Sequence, residues 1–214
     1  MAGNHEFYQN KWLISDRDRS LEKDRQIIKA IETVSLQWPQ RFYCLDADAV
    51  IIDNTRLICA SQWVDFQMKL PVKSDQAQRM WEARQMLNDF HAICMQTGKR
   101  FTPENMLDLH RSDAAYIRKK MAEPINGRTV VLTHHMPHPD CTPPAYAGQD
   151  LNYLFACGAE AFGGILNSDQ APVYGSVAIR IMLLTFRSVK LVSSAIPMVT
   201  DGSRGETASG RNWW

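Results

Sequence analysis

The sequence predicts an α/β protein in which helices and strands alternate in layers. Three observations carry that expectation: helix-period segments at 15–37, 74–97 and 101–121, short β-prone runs between 41 and 61, and an apolar run at 128–135 that ends in paired histidines. Such alternation argues against an all-helical bundle. A chain of 214 residues can bury one sizeable core, so one domain is the default.

Each element has its own local reason. In "SDRDRSLEKDRQIIKAIETVSLQ" (15–37), Leu21, Ile27, Ile28, Ile31 and Val34 share one broad face, with Ser15 or Asp16 placed to cap it. "RFYCL" (41–45), "AVIID" (49–53) and "RLICAS" (56–61) read as strands, and Asp53–Asn54 as the hairpin turn between the last two. Segment 74–97 reads as helical through Met80, Trp81, Met86, Leu87, Phe90 and Ile93. Thr102 as cap and Pro103 at the first helical position start a long helix over 101–121. "RTVVLTHH" (128–135) reads as a buried strand that delivers histidines at its C-terminal end, and 150–166 as a helix weakened late by Gly163 and Gly164. From 173 the chain is apolar and β-prone without clean alternation, and its end, "TDGSRGETASGRNWW", has the composition of a disordered tail.

Composition excludes several classes. A formal net charge of +1 offers no electrostatic reason for a nucleic-acid or anionic-membrane partner. No stretch approaches the ~20 apolar residues of a membrane span, and no signal peptide opens the chain. The 5 cysteines are scattered and form no CxxC pair, which reads as reduced thiols in a cytoplasmic protein.

Two segments carry candidate chemistry: "GNHE" (3–6) and "THHMPHP" (133–139). Asn4 offers a neutral oxygen, His5 a proton donor or ligand, and His134 a nitrogen at a strand end; such donors suit Zn, Mn or Fe. For His138 a hydrogen-bonded structural role is the bland reading, and for His91 and His110 a surface or core place on a helix. No cysteine lies beside a histidine with a recognisable orienting partner, so a cysteine nucleophile has little support.

The order of these segments resembles the calcineurin-like metallophosphoesterases of bacterial type. "GNHE" is followed by the aromatic pair Phe7–Tyr8, then by a hairpin leading into Trp63-Val64-Asp65-Phe66, then by "THH", then by "PPAYAGQDLNYLFA" (143–156). The likeness spans roughly residues 2 to 170. It implies a four-layer α-β-β-α sandwich, a hydrolase acting on phosphate esters, and two divalent metal ions (Mn, Fe or Zn). By the same likeness Asn4 and His134 ligate one metal, and His5 protonates the leaving oxygen. His135 points to the opposite strand face and stays outside that role. Trp63 and Asp65 read as packing.

The likeness also sets expectations for what is missing. The family's Asp-x-His and Gly-Asp motifs precede "GNHE", so relative to the family the chain is expected to be truncated at its N-terminus. Its closing Gly-His-x-His motif should follow Cys141, where no histidine occurs. Re-reading Val177–Ala178–Ile179–Arg180–Ile181 from each third codon base permits Gly-His-Ser-His, and the Met198–Val199 junction forces a glycine. A frame slip near 168–176 is therefore expected, dividing the chain into a partial phosphoesterase domain (1–172) and an atypical, out-of-frame tail (173–214). With Asn4 and His134 as the surviving ligands, the sandwich is incomplete and activity is impaired or lost. The alternative is a non-catalytic α/β binding module that binds a partner, or a single metal, through His134, His135, His138 and Asp140 or Cys141.

Overall fold

The computed structural model describes residues 3–8, 26, 43, 45–71, 73–96 and 99–166, and the backbone of 174–179, 182–187 and 194–195. The expected helix over 15–37, most of the strand over 41–45 and the end of the tail lie outside the described residues.

The hairpin comes first. Asp48–Ile52 (β1) and Thr55–Ala60 (β2) pair antiparallel, with Asp48 opposite Cys59 and Ile52 opposite Thr55. Asp53 makes the turn at φ 51°, a left-handed conformation that aspartate tolerates better than most residues. The chain then leaves the sheet for Gln76–Met86 (α1), Asp89–Ala92 (α2), the small hairpin of Cys94–Gln96 (β3) and Lys99–Arg100 (β4), and Pro103–Ala122 (α3). It returns as Arg128–Thr133 (β5), parallel to β2. The return depends on Gly127, whose absent Cβ would lie 1.9 Å from the Asn54 carbonyl oxygen, so no side chain fits where the two turns meet.

Helix α3 starts as its sequence dictates. Thr102 Oγ1 accepts from the Asn105 amide, the Asn105 side chain accepts from the Thr102 amide, and Pro103 occupies the first turn. Its apolar stripe of Ala114, Ile117 and Met121 packs on Ile58 and Ala60 of β2, with Cys157, Ala161 and Phe162 completing the cluster. The second and larger cluster gathers Phe7, Trp63, Val64, Phe66, Phe90, Ile93, Phe101, Met106, Met136 and Tyr153 beyond the C-terminal ends of β2 and β5. The loops that carry the candidate chemistry rest on this second cluster.

The structure departs from expectation in two described segments. Residues 74–96 form two helices and a strand rather than the one helix expected over 74–97, whose last residue lies outside the described ones. Leu87 adopts an extended conformation (ψ 128°) and Asn88–Asp89 restart the chain, which frees the Asp89 side chain for a distant partner. Residues 150–166 form 3-10 turns at Asn152–Leu154 and Ala159–Ala161 and a short helix at Gly163–Leu166 (α4), not one helix. Tertiary hydrogen bonds override the helical pattern: Met136 N–H donates to Phe155 O, Cys157 N–H to Met136 O, and Gly158 N–H to Asp65.

Beyond β5, Tyr174–Ile179 (β6) pairs parallel to it, from Val130 opposite Tyr174 to Thr133 opposite Val177. Met182–Arg187 (β7) and Ser194–Ala195 (β8) follow antiparallel. The sheet order is β1-β2-β5-β6-β7-β8, so backbone pairing runs across the boundary expected at residue 172. The described residues thus form a mixed α/β fold with one six-stranded sheet and one small hairpin. Among them no helix is long and apolar enough to cross a membrane.

Candidate functional site

Asn4, 130 positions from His134 in sequence, meets it in space. The chain around Asn4 folds into a single 3-10 turn, Asn4–Phe7, anchored by Phe7, which is fully buried and lies 6.5 Å from the Trp63 ring. The following aromatic supports the neighbouring histidine: Tyr8 stacks on His5 at 4.4 Å and 17°. His5 is exposed, while Asn4 is half-buried.

Asn4 is held from both sides. Its amide nitrogen donates to Asp89 Oδ1 at 2.7 Å, and its Oδ1 lies 2.9 Å from His134 Nε2. The Asp89 bond fixes which end of the amide faces the histidine, so Oδ1 and Nε2 are presented to each other. Gly3 completes the approach, since a Cβ there would lie 2.7 Å from Cε1 and Nδ1 of the His134 ring. Burial raises the Asp89 carboxyl above its usual 3.8, opposed by the Asn4 hydrogen bond. Sequence reasoning missed Asp89, because it sits in an ordinary-looking helical segment 85 positions from Asn4.

His134 and His135 part company at the bend after β5. The His134 ring remains half-buried beside Asn4. The His135 ring is buried 5.5 Å from Trp63, with Nδ1 3.4 Å from Ser61 O, and burial lowers its pKa to about 3. It is a neutral packing residue, in keeping with its expected place outside the site.

The bland readings hold for the remaining candidates. His138 accepts from the Asp140 amide at 3.2 Å and caps the turn Pro139–Cys141. Cys141 is buried and its thiol is pushed up to about 12 by that burial. Trp63 is wholly buried, and Asp65 accepts from the Gly158 and Gln67 amides. His91 is exposed and His110 is buried in the core.

One contact was invisible in sequence. Cys157 Sγ lies 3.7 Å from His110 Nδ1, next to Gln62 Nε2, which is 3.0 Å from the same nitrogen. Spacing offers no signal for it, since 47 positions separate the two residues. The pair does not make a nucleophile: Cys157 is fully buried and its thiol is raised well above 9.0, chiefly by desolvation. It belongs to a polar knot that holds Gln62 at φ 51°, with the Gln62 amide donating to Asp113 Oδ2 at 2.9 Å. Left-handed backbone at a non-glycine residue costs about 1–2 kcal/mol, which these bonds offset.

The Asn4–His134 geometry can be tested against a metal. Two ligands at adjacent corners of an octahedron, each ~2.1 Å from the ion, stand about 3.0 Å apart. The observed 2.9 Å matches one such edge. The same 2.9 Å is an ordinary hydrogen-bond length, and the pair makes that bond here, so the distance is compatible with a shared ion but does not single one out. Among the described residues no group of three or more His, Cys, Asp or Glu side chains converges on a common point, so a two-metal centre does not fit them. His134, His135, His138 and Cys141 likewise do not gather around one point.

Comparison with known proteins adds no relative: no family model matches this chain, and no curated protein or solved structure matches it significantly.

Proposed function

We propose that this chain is a metallophosphoesterase-type hydrolase of impaired activity, built on part of a four-layer α-β-β-α sandwich. The single observation that supports this reading is the 2.9 Å hydrogen bond between Asn4 Oδ1 and His134 Nε2, which brings together the two residues that the resemblance names as ligands of one metal. Divalent metals in such enzymes activate water and neutralise phosphoryl oxygens. Here Asn4 and His134 would hold one ion by two neutral donors, with Asp89 orienting Asn4. His5, exposed on the same turn, is the proton donor to the leaving oxygen of a phosphate ester. Two neutral protein donors fall short of the three that catalytic sites normally use, which is why activity is impaired.

The test combines Mn2+ titration by calorimetry with hydrolysis of p-nitrophenyl phosphate. Weak binding and slow Mn2+-stimulated turnover, both lost in His134→Ala, are the expected outcome. Binding that survives His134→Ala refutes the assignment of the pair, and two tightly held ions with brisk turnover refute the impairment. A non-catalytic module that holds one metal through the same pair is the second reading. It is favoured by metal binding with no turnover at saturating metal.

A further inference from the structure

Resting on the hydrolase reading of the same site, we propose that Tyr8 is a positioning residue for His5, and that Asp89 anchors Tyr8 and Asn4 together. One buried carboxylate thereby sets the place of both Asn4, the metal ligand of that reading, and His5, its proton donor.

Local geometry brings the two rings together. The Tyr8 amide donates to His5 O at 3.2 Å, closing the 3-10 turn. Such a turn has about three residues per revolution, so side chains three positions apart eclipse. His5 and Tyr8 have that spacing, and their rings stack at 4.4 Å and 17°. His5 is exposed, whereas Tyr8 is half-buried against the larger apolar cluster. The tyrosine ring is therefore the backing and the imidazole the outward layer. Phe7, between them in sequence, is fully buried and pins the turn from below.

Asp89 fixes the far end of that backing. It is 4% exposed at the start of α2 and accepts from two side chains, Asn4 Nδ2 at 2.7 Å and the Tyr8 hydroxyl. Burial raises its carboxyl, and these two bonds, with the charge of nearby His5, oppose that penalty. Asn4 is thus tied to the carboxylate directly and His5 through the Tyr8 ring. Tyr8→Phe keeps the ring and cuts its tether, which separates packing from positioning.

Three measurements on the full chain test this: proton NMR without metal, Mn2+ titration by calorimetry, and p-nitrophenyl phosphate hydrolysis at saturating Mn2+. In the wild type the Tyr8 ring should shift the His5 ring protons, identified by their loss in His5→Gln. That shift should shrink in Tyr8→Phe and in Asp89→Asn, the second because an amide has one acceptor oxygen where a carboxylate has two. Tyr8→Phe should lower kcat about tenfold, as misplacing a reacting group does, and leave KM and Mn2+ affinity unchanged. Asp89→Asn should lower kcat likewise and also weaken Mn2+ about tenfold, the scale of losing an outer partner of a metal ligand. Arg111→Gln, at an exposed arginine paired with Asp108, should alter none of the three. An unchanged His5 shift in both site variants overturns the proposal, as does a Tyr8→Phe chain that loses Mn2+ affinity as Asp89→Asn does. A wild-type chain that neither binds Mn2+ nor turns over the ester defeats the hydrolase reading instead. The metal-free spectra then decide alone whether Asp89 and Tyr8 hold His5.

Discussion

Gly3→Ala probes the packing that brings His134 to Asn4. The new methyl would lie 2.7 Å from two atoms of the imidazole and 3.0 Å from a third. Carbon contacts relax at about 3.5 Å, so the ring must retreat by about 0.8 Å. That motion stretches the 2.9 Å approach to Asn4 past hydrogen-bonding range. Because a side chain can yield where backbone cannot, the cost falls at the lower end of the ~1–3 kcal/mol for overpacking. Urea denaturation of four proteins reads it: wild type, Gly3→Ala, His134→Ala and the double variant. In the His134→Ala background the methyl meets no ring, so its cost should fall below about 0.5 kcal/mol, leaving a coupling energy near ~1 kcal/mol. Equal costs in the two backgrounds would refute the reasoning, because Gly3 would then be required by something other than the imidazole.

Three other outcomes are expected. Thr102→Ala removes the reciprocal cap of α3 and should cost ~1 kcal/mol, read as a lower urea midpoint at unchanged slope. Burial lowers the pKa of His110 below 6.5 despite nearby Asp65 and Asp113. A base depressed in the folded state contributes stability that is present above pH 6.5 and is lost as pH falls through its folded value. His110→Gln should therefore flatten the decline in unfolding free energy below pH 6.5, a slope of at most about 1.4 kcal/mol per pH unit. Native-state alkylation followed by mass spectrometry should find Cys141 and Cys157 protected and reactive only after unfolding, since burial raises both thiols.

The polar knot under the candidate site links its stability to its shape. Gln62 and Phe66 both sit at positive φ, at 51° and 57°, on either side of the Trp63–Asp65 segment. Hydrogen bonds from Gln62 to Asp113 and from Gly158 to Asp65 hold that segment against α3 and the stretch around Gly158. His135 meets that segment, its amide donating to Ser61 O and its ring 5.5 Å from Trp63, while His134 faces Asn4.

What the sequence determined by itself lies within a few residues of its own signal. The Asp53–Asn54 hairpin, the Thr102–Pro103 start of α3 and the end of β5 just before His134 are local, because turn chemistry, capping and strand period act over neighbouring positions. The nomination of Asn4 and His134, and the expectation that they meet, also came from sequence, through motif order and the resemblance it carries; the 2.9 Å distance came from the structure. Only the tertiary structure placed Asp89 on Asn4, split 74–96 into two helices and a strand, drew 150–166 into 3-10 turns and set Cys157 against His110. Those outcomes depend on partners 19 to 94 positions away whose hydrogen bonds and packing outweigh local propensity.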